Sequence, residues 1–252
     1  DAVVALSRKS KVQLESWQSS DNYQYAVTLK PDGVTPLPES TLEEQAAFRA
    51  EYGIAPDDKL VTFVGRLGSE KNLAMLIPVI EQVCVSHPEA RLLFVGDFEY
   101  RETLENLSAA SLCADRITFT GALPRVELGK IYDTSSIFAF PSLTDTQAWV
   151  LHEATHAGLP VVMIDPELSE VVFDNENGFI VPDDVTHFAD AVKRLLDDER
   201  LRHQFGEKSR ELANEFTEEG QIKKLEKLYE TAIARYETKR YDKKKLKRNF
   251  KI

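Results

Sequence analysis

Pro141-Ser-Leu-Thr-Asp-Thr-Gln-Ala-Trp-Val-Leu-His-Glu-Ala-Thr-His-Ala-Gly-Leu-Pro-Val-Val162 supports two incompatible readings, and the choice between them sets the fold. The first rests on His152-Glu153-Ala154-Thr155-His156, an H-E-x-x-H string. Residues four apart share a helix face, so two imidazoles can grip one zinc while the Glu activates its water. The second rests on two carboxylates, Asp145 and Glu153, separated by seven residues and leading into a helix that stops at Gly158 and Pro160. The surroundings favour the second. A catalytic zinc needs a third protein ligand. The extended metzincin pattern puts Gly three places after the second His, where this chain has Leu159, and no later His falls in a matching position. Val161-Val162-Met163-Ile164 follows at once as a buried strand, so the helix lies between two apolar strands, as in the helical layer of an α/β sheet. His152 and His156 then read as ordinary helix positions, and a zinc-dependent hydrolase stays as the second reading.

Outward from that stretch the pattern is regular. Continuous apolar runs read as strands at Leu60 to Val64, Leu92 to Val95, Arg116 to Thr120, Ser136 to Phe140, Leu159 to Ile164 and Gly178 to Val181. Between and after them, helices are expected at Leu73 to Ser86, Glu102 to Ala110, Pro124 to Asp133, Gln147 to Ala157, Val185 to Leu196, Glu199 to Phe216 and Glu219 to Tyr236. Alternating buried strands and helices mean a parallel sheet covered on both faces. The fold class is therefore α/β, a doubly wound, Rossmann-like parallel sheet with its ligand crevice at the carboxyl ends of the strands. Ahead of it come a strand at Ala2 to Leu6, a helix capped by Ser7 and running to Trp17, a strand at Tyr25 to Leu29, and the Pro/Gly connector Pro31 to Pro38. Ser40-Thr-Leu-Glu-Glu opens a further helix, to Tyr52, with a capping-box pattern. The expected division is 1–36, 37–58 as linker and helix, 59–218 as the sheet domain, 219–238 as a last helix and 239–252 as a basic tail, solvated and frayed.

Composition narrows the class. The chain has 252 residues, 42% of them hydrophobic, and a net charge of −11, which leaves no global footprint for nucleic acid. Cys84 and Cys113 sit in apolar helical contexts and read as buried thiols of a reducing cytosol. No apolar run approaches the roughly 18–20 residues of a membrane span. The start, Asp1-Ala-Val-Val, lacks Met and reads as the interior of a strand, so sequence is expected upstream. The basic ending, from Lys239 to Ile252, is a candidate contact with an anionic membrane surface, at about 1 kcal/mol per Lys or Arg.

The candidate functional residues follow strand carboxyl ends. Val64-Gly-Arg-Leu-Gly-Ser-Glu-Lys-Asn72 supplies Gly65 for close backbone approach, Arg66 and Lys71 as fixed cations, and the free N–H groups of a helix start. That combination suits a diphosphate. It is neither a Walker A string nor G-x-G-x-x-G, so no common NTPase or dehydrogenase is indicated. Asp145 lies at the mouth of another strand, and the N–H groups of Thr146, Gln147, Ala148 and Trp149 face the same crevice. Glu153, two helical turns on, carries a carboxylate suited to a ribose diol.

Those motifs, in that order and spacing, resemble the C-terminal, donor-binding half of a GT-B glycosyltransferase of family 4, the glycosyl transferases group 1. Val64-Gly-Arg-Leu with Glu70-Lys-Asn72 is similar to the family's Gly-Arg-Leu…Glu-Lys-Asn element, Leu93-Phe-Val-Gly-Asp97 to its second strand and Gly-Asp turn, and Ile117 to Gly121 to a further strand. Asp145 to Glu153 is similar to its Glu-seven-residues-Glu motif, and Glu170-Val-Val…Asn177-Gly-Phe-Ile-Val181 to the run after it. The resemblance covers Lys59 to Tyr236, while residues 1–31 resemble the last strand–helix–strand of the acceptor-binding domain, with Pro31-Asp-Gly-Val34 for the usual Pro-Asn-Gly-Val. It implies a retaining, metal-independent transfer from a UDP- or GDP-sugar, with no cofactor. Arg66 and Lys71 would hold the leaving diphosphate, Asp145 the donor sugar, Gly65 and the 146–149 backbone the sugar and phosphates, and Glu153 the ribose. Asp145 replaces the usual Glu and is one methylene shorter; Gln147-Ala148 replaces the usual Phe-Gly and is similar to members acting on diacylglycerol lipids. A membrane lipid is thus a candidate acceptor, and the cytoplasm, at the inner face of the membrane, the expected location. A non-catalytic nucleotide-binding module of the same fold is the third reading.

Overall fold

The computed structural model describes residues 2–17, 26–168 and 170–249. In chain order these form β1 (Ala2–Ala5), α1 (Arg8–Ser16), β2 (Ala26–Leu29), α2 (Leu42–Glu51), β3 (Lys59–Val64), α3 (Leu76–Cys84), β4 (Ala90–Val95), α4 (Arg101–Ala109), β5 (Ile117–Gly121), α5 (Leu128–Thr134), β6 (Ile137–Phe140), α6 (Trp149–His156), β7 (Val161–Met163), β8 (Gly178–Ile180), α7 (Val185–Asp197), α8 (Glu199–Ala213) and α9 (Glu218–Asn249). Tyr25, the expected start of the second strand, lies outside the described residues.

β3 to β8 form one six-stranded sheet in the order β5-β4-β3-β6-β7-β8, every pair parallel. The chain winds outward from β3 to β5, then returns to lay β6 on the other side of β3. That reversal leaves a crevice between the carboxyl ends of β3 and β6. Every residue of β6 and β7 is buried, as is all of β3 but Lys59 and all of β4 but Arg91, because helices cover both faces. Phe63 stacks on Phe140 at 6.2 Å and Phe94 on Phe119 at 5.0 Å, so rings tie neighbouring strands across the sheet. β1 and β2 make a separate two-stranded parallel sheet bridged by α1, the strand–helix–strand unit expected there.

Helix ends follow local chemistry. Ser7 caps α1 by accepting from the Ser10 N–H, and Thr41 with Glu44 completes the capping box of α2. The helix expected from Leu73 instead opens as two 3-10 turns, Ser69–Lys71 and Leu73–Met75, with Asn72 between them in the left-handed region (φ 57°), and α3 begins at Leu76. Pro124 likewise opens a 3-10 turn before α5, and the last turn of the segment after α8, Asn214–Phe216, is 3-10. The final helix does not stop near Tyr236. It continues through Lys239 to Asn249, consistent with a run that has no Gly or Pro and many good helix formers. Cys113 is buried and Cys84 half-buried, its thiol pushed up to about 12 by burial and then by Cys113.

One ion cluster clamps the amino ends of three strands. Asp58, 4% exposed, accepts from Arg91 Nε and Arg116 Nη1, both at 3.0 Å, and from the Ala55 N–H at 2.9 Å. Burial alone raises its pKa, but the Ala55 N–H and the two guanidiniums outweigh that and hold it below the usual carboxylate range. A depressed folded pKa means stability present at neutral pH and lost as pH falls through that value. Asp58→Asn is therefore expected to cost about 3 kcal/mol at pH 7 in urea unfolding. The deficit against the unaltered chain should shrink once pH drops below about 4; a deficit independent of pH would assign the loss to packing.

Candidate active site

The turns after β3 and β4 are zipped together. Leu67 N–H donates to Asp97 O at 3.1 Å and Tyr100 N–H to Leu67 O at 3.0 Å, with Leu67 itself fully buried. The approach is so close that a Cβ on Gly96 would sit 1.8 Å from Gly65 O, and Gly96 is also at φ +139°, so only glycine fits there. The left-handed turn at Asn72, whose amide donates to Asp183 at 2.9 Å, then reverses the chain and sends Lys71 inward.

Lys71 Nζ meets Asp145 Oδ1 at 2.5 Å across the gap between the β3 and β6 turns; the two side chains are 14% and 17% exposed. Thr144 Oγ1, donating to Glu70 O at 3.2 Å, ties the same two turns. Asp145 Oδ2 is buried and has no partner among the described residues. A buried carboxylate oxygen without a donor is costly, and chemically it is able to accept a hydrogen bond from a hydroxyl that reaches it. Arg66 stands at the mouth, 59% exposed, held by Glu70 at 2.9 Å and lying over the Phe98 ring at 4.7 Å. Structure thus brings Arg66, Lys71, Asp145 and Gly65 to one end of one crevice.

The rest of the expected set is placed differently. Thr146 and Trp149 are exposed, and Ala148 is left-handed (φ 53°) at the start of α6. Gln147 is buried, and its amide turns away from the crevice to bond Asp32. Glu153 is also buried, but its carboxylate is already engaged: Arg125 Nη1 pairs with Oε1, and Tyr132 OH donates to Oε2 at 3.0 Å. Burial, and then Glu153, keep the Tyr132 phenol protonated by raising its pKa well above the usual range. Arg125 also donates to Thr35 O at 2.9 Å. Glu153 lines a cavity of about 720 Å³ with Pro38, His156, Gly158 and Arg202, near the amino ends of β3, β6 and β7 rather than in the crevice.

The H-E-x-x-H string assembles no zinc site. His152 is 1% exposed, set edge-on to Phe216 at 5.3 Å, with burial and then His156 bringing its pKa down to about 4. Glu153 is committed to Arg125 and Tyr132, and among the described residues no three His, Cys, Asp or Glu side chains are grouped to hold a metal. Sequence reasoning missed Tyr132, Arg125, Phe98 and Asp32. Tyr132 has the sequence context of any core aromatic, Arg125 comes from a segment with no motif of its own, and the motifs beside Asp32 and Phe98 give no sign of their partners Gln147 and Arg66.

Residues 44–212 match the family described as glycosyl transferases group 1. The sulfoquinovosyl transferase SQD2 of Arabidopsis thaliana is 35% identical over 161 residues, 62% of this chain and 30% of that protein. Sucrose-phosphate synthase of Thermosynechococcus elongatus superposes with a TM-score of 0.78 at 25% identity, over 93% of this chain and 59% of the other. HepE of Anabaena, solved with UDP-glucose, gives 0.79 at 18% identity, over 91% and 64%. The chain thus spans less than half the length of relatives such as SQD2 and less than two thirds of these structures. With its motif-bearing region matched over most of its length and its six-stranded parallel sheet shared with these structures, the chain belongs to the glycosyl transferases group 1 and has the α/β architecture of GT-B glycosyltransferases.

Proposed function

We propose that this chain is the donor-binding part of a glycosyltransferase that moves a sugar from a nucleoside diphosphate sugar to an acceptor, with retention of configuration and without a metal. The observation that carries this reading is the Lys71–Asp145 pair at the sheet's reversal, with Asp145 Oδ2 unpartnered. Transfer breaks the bond from the anomeric carbon to the diphosphate, and negative charge collects on the leaving group. Lys71 inside the crevice and Arg66 at its mouth are fixed cations aimed at that charge. Asp145 Oδ2 accepts a donor-sugar hydroxyl. Residues 1–36 are the end of the acceptor-binding lobe.

UDP is the first probe, because the matched HepE structure holds a UDP-sugar. Calorimetric titration with UDP and GDP in EDTA should show one nucleotide binding. Arg66→Ala and Lys71→Ala should each weaken it about 10- to 100-fold, the worth of a charge-assisted contact. Failure of both nucleotides to bind would refute the donor reading. Asp145→Asn separates the roles further. It releases Lys71, so UDP should bind as well or better, while the advantage of a UDP-sugar over UDP should fall; an undiminished advantage would remove Asp145 from the sugar subsite.

A membrane lipid is the acceptor we favour. Between Lys239 and Ile252 there are eight Lys and Arg against one Asp, in a chain of net charge −11. Backbone helix continues through that run to Asn249, and among the described residues no helix is long and apolar enough to cross a membrane. Surface attraction through this run fits both facts. The chain should sediment with phosphatidylglycerol vesicles and not with phosphatidylcholine vesicles, and deletion of residues 239–252 should abolish the difference. Equal sedimentation after the deletion would exclude the run as an anchor.

A further inference from the structure

We propose that Gln147 is a positioning residue that locks the donor loop, residues 143–147, to the connector before α2, so that the sugar subsite is in register only while the connector is docked. This rests on the donor reading above. The Gln147 side chain is 5% exposed and makes a reciprocal pair of bonds with one residue of the connector: Oε1 accepts from the Asp32 N–H at 3.1 Å, and Nε2 donates to Asp32 O at 2.9 Å. A primary amide satisfying both backbone groups of a single residue acts like a rung of a sheet, between segments 115 residues apart.

The connector cannot give way on its other side. A Cβ on Gly33 would lie 2.4 Å from Glu218 Cα and 2.6 Å from Thr217 O, Val34 N–H donates to Phe216 O at 3.0 Å, and Thr35 Oγ1 donates to Glu218 at 2.5 Å. Asp32 is thus held between the start of α9 and the donor loop. The loop's other end is braced from the same part of the chain: Lys9, in the first turn of α1, donates to Leu143 O at 2.5 Å and pairs with buried Asp165 at 2.6 Å. Between these two braces stands Asp145, fixed by Lys71 on one oxygen and open on the other. Among the described residues, two of the four fixings of the donor loop, those at Leu143 and Gln147, therefore come from residues that precede the sheet domain, the other two being Lys71 on Asp145 and Thr144 on Glu70. A donor-binding role for the Gln147 side chain itself would require breaking both bonds to Asp32.

The test uses the full chain with Gln147→Ala and Gln147→Glu. At neutral pH the introduced carboxylate still accepts from the Asp32 N–H but repels Asp32 O. Once protonated it has the donor and acceptor of the native amide. Its titratable and charged neighbours are Asp32 with Lys30, Asp145 with Lys71, and Glu218; Gln147→Ala carries their titration as the control. Gln147→Ala should speed amide hydrogen exchange at Asp32 to Val34 and cut the advantage of a UDP-sugar over UDP about tenfold. Gln147→Glu should show the same loss at pH 7.5 and recover most of that advantage at pH 5, relative to the unaltered chain. Where Gln147→Ala fails to fold, the pH dependence of Gln147→Glu decides alone. Unchanged exchange at Asp32, faster exchange with the full UDP-sugar advantage, or absence of the pH recovery would each overturn the proposal while the unaltered chain still binds UDP. No nucleotide binding by the unaltered chain would overturn the donor reading, and this proposal with it.

Discussion

Lys71 and Asp145 face each other across the place where the sheet changes direction, and both are mostly out of water. Removing two charges from solvent is costly, and one contact on one carboxylate oxygen does not satisfy the group. The second oxygen is left with no donor. Such a pair persists only because the surrounding backbone permits no other arrangement: Leu67 is buried under the zipped turns, Asn72 reverses the chain, and Thr144 ties the two loops. The cost sits where parallel α/β sheets place ligands, which is why the strand reversal and the orphan oxygen are best understood together.

The two carboxylates that looked like one motif occupy different surroundings. Asp145 is in a loop and keeps an open oxygen; Glu153 is inside α6 with both oxygens bonded. Helix geometry turns Glu153 toward α5 and the connector, so its partners are Tyr132 and, through Arg125, Thr35. That environment also removes the zinc alternative, since the general base such a site needs is already neutralised and His152 faces Phe216 in the core.

Strands and the crevice were legible because their signals are local. Four apolar residues ended by Gly or Pro mark β3, β4 and β6 directly, and the Gly-Arg-Leu and Asp-x7-Glu motifs sit within a few residues of strand ends. What escaped was set at long range. Nothing near Gln147 announces that its amide closes on Asp32, and a Glu at the right spacing gives no hint of Arg125. The 3-10 entry to α3 arises from Asn72 adopting a left-handed turn and bonding Asp183, a contact 111 residues away. The length of α9 escapes the sequence for the opposite reason: the change to a basic run after Tyr236 marks no helix end, because like charges weaken a helix far less than Gly or Pro would.

Arg66 and Lys71 differ in what they can do before a ligand arrives. Lys71 is already neutralised by Asp145, so an incoming diphosphate gains from it only by sharing the two of the ammonium's three donors that Asp145 does not take. Arg66 is exposed, paired with Glu70 in the weak manner of a surface ion pair and resting on Phe98, and it can be recruited at small loss. Arg125 stands in the same relation to Glu153: half in solvent, and so easier to move than the buried carboxylate it covers. In the proposed reading, then, the buried pair Lys71 and Asp145 forms a fixed frame. Adaptation to a ligand in the crevice falls to the exposed Arg66, whose contacts are the least expensive to exchange.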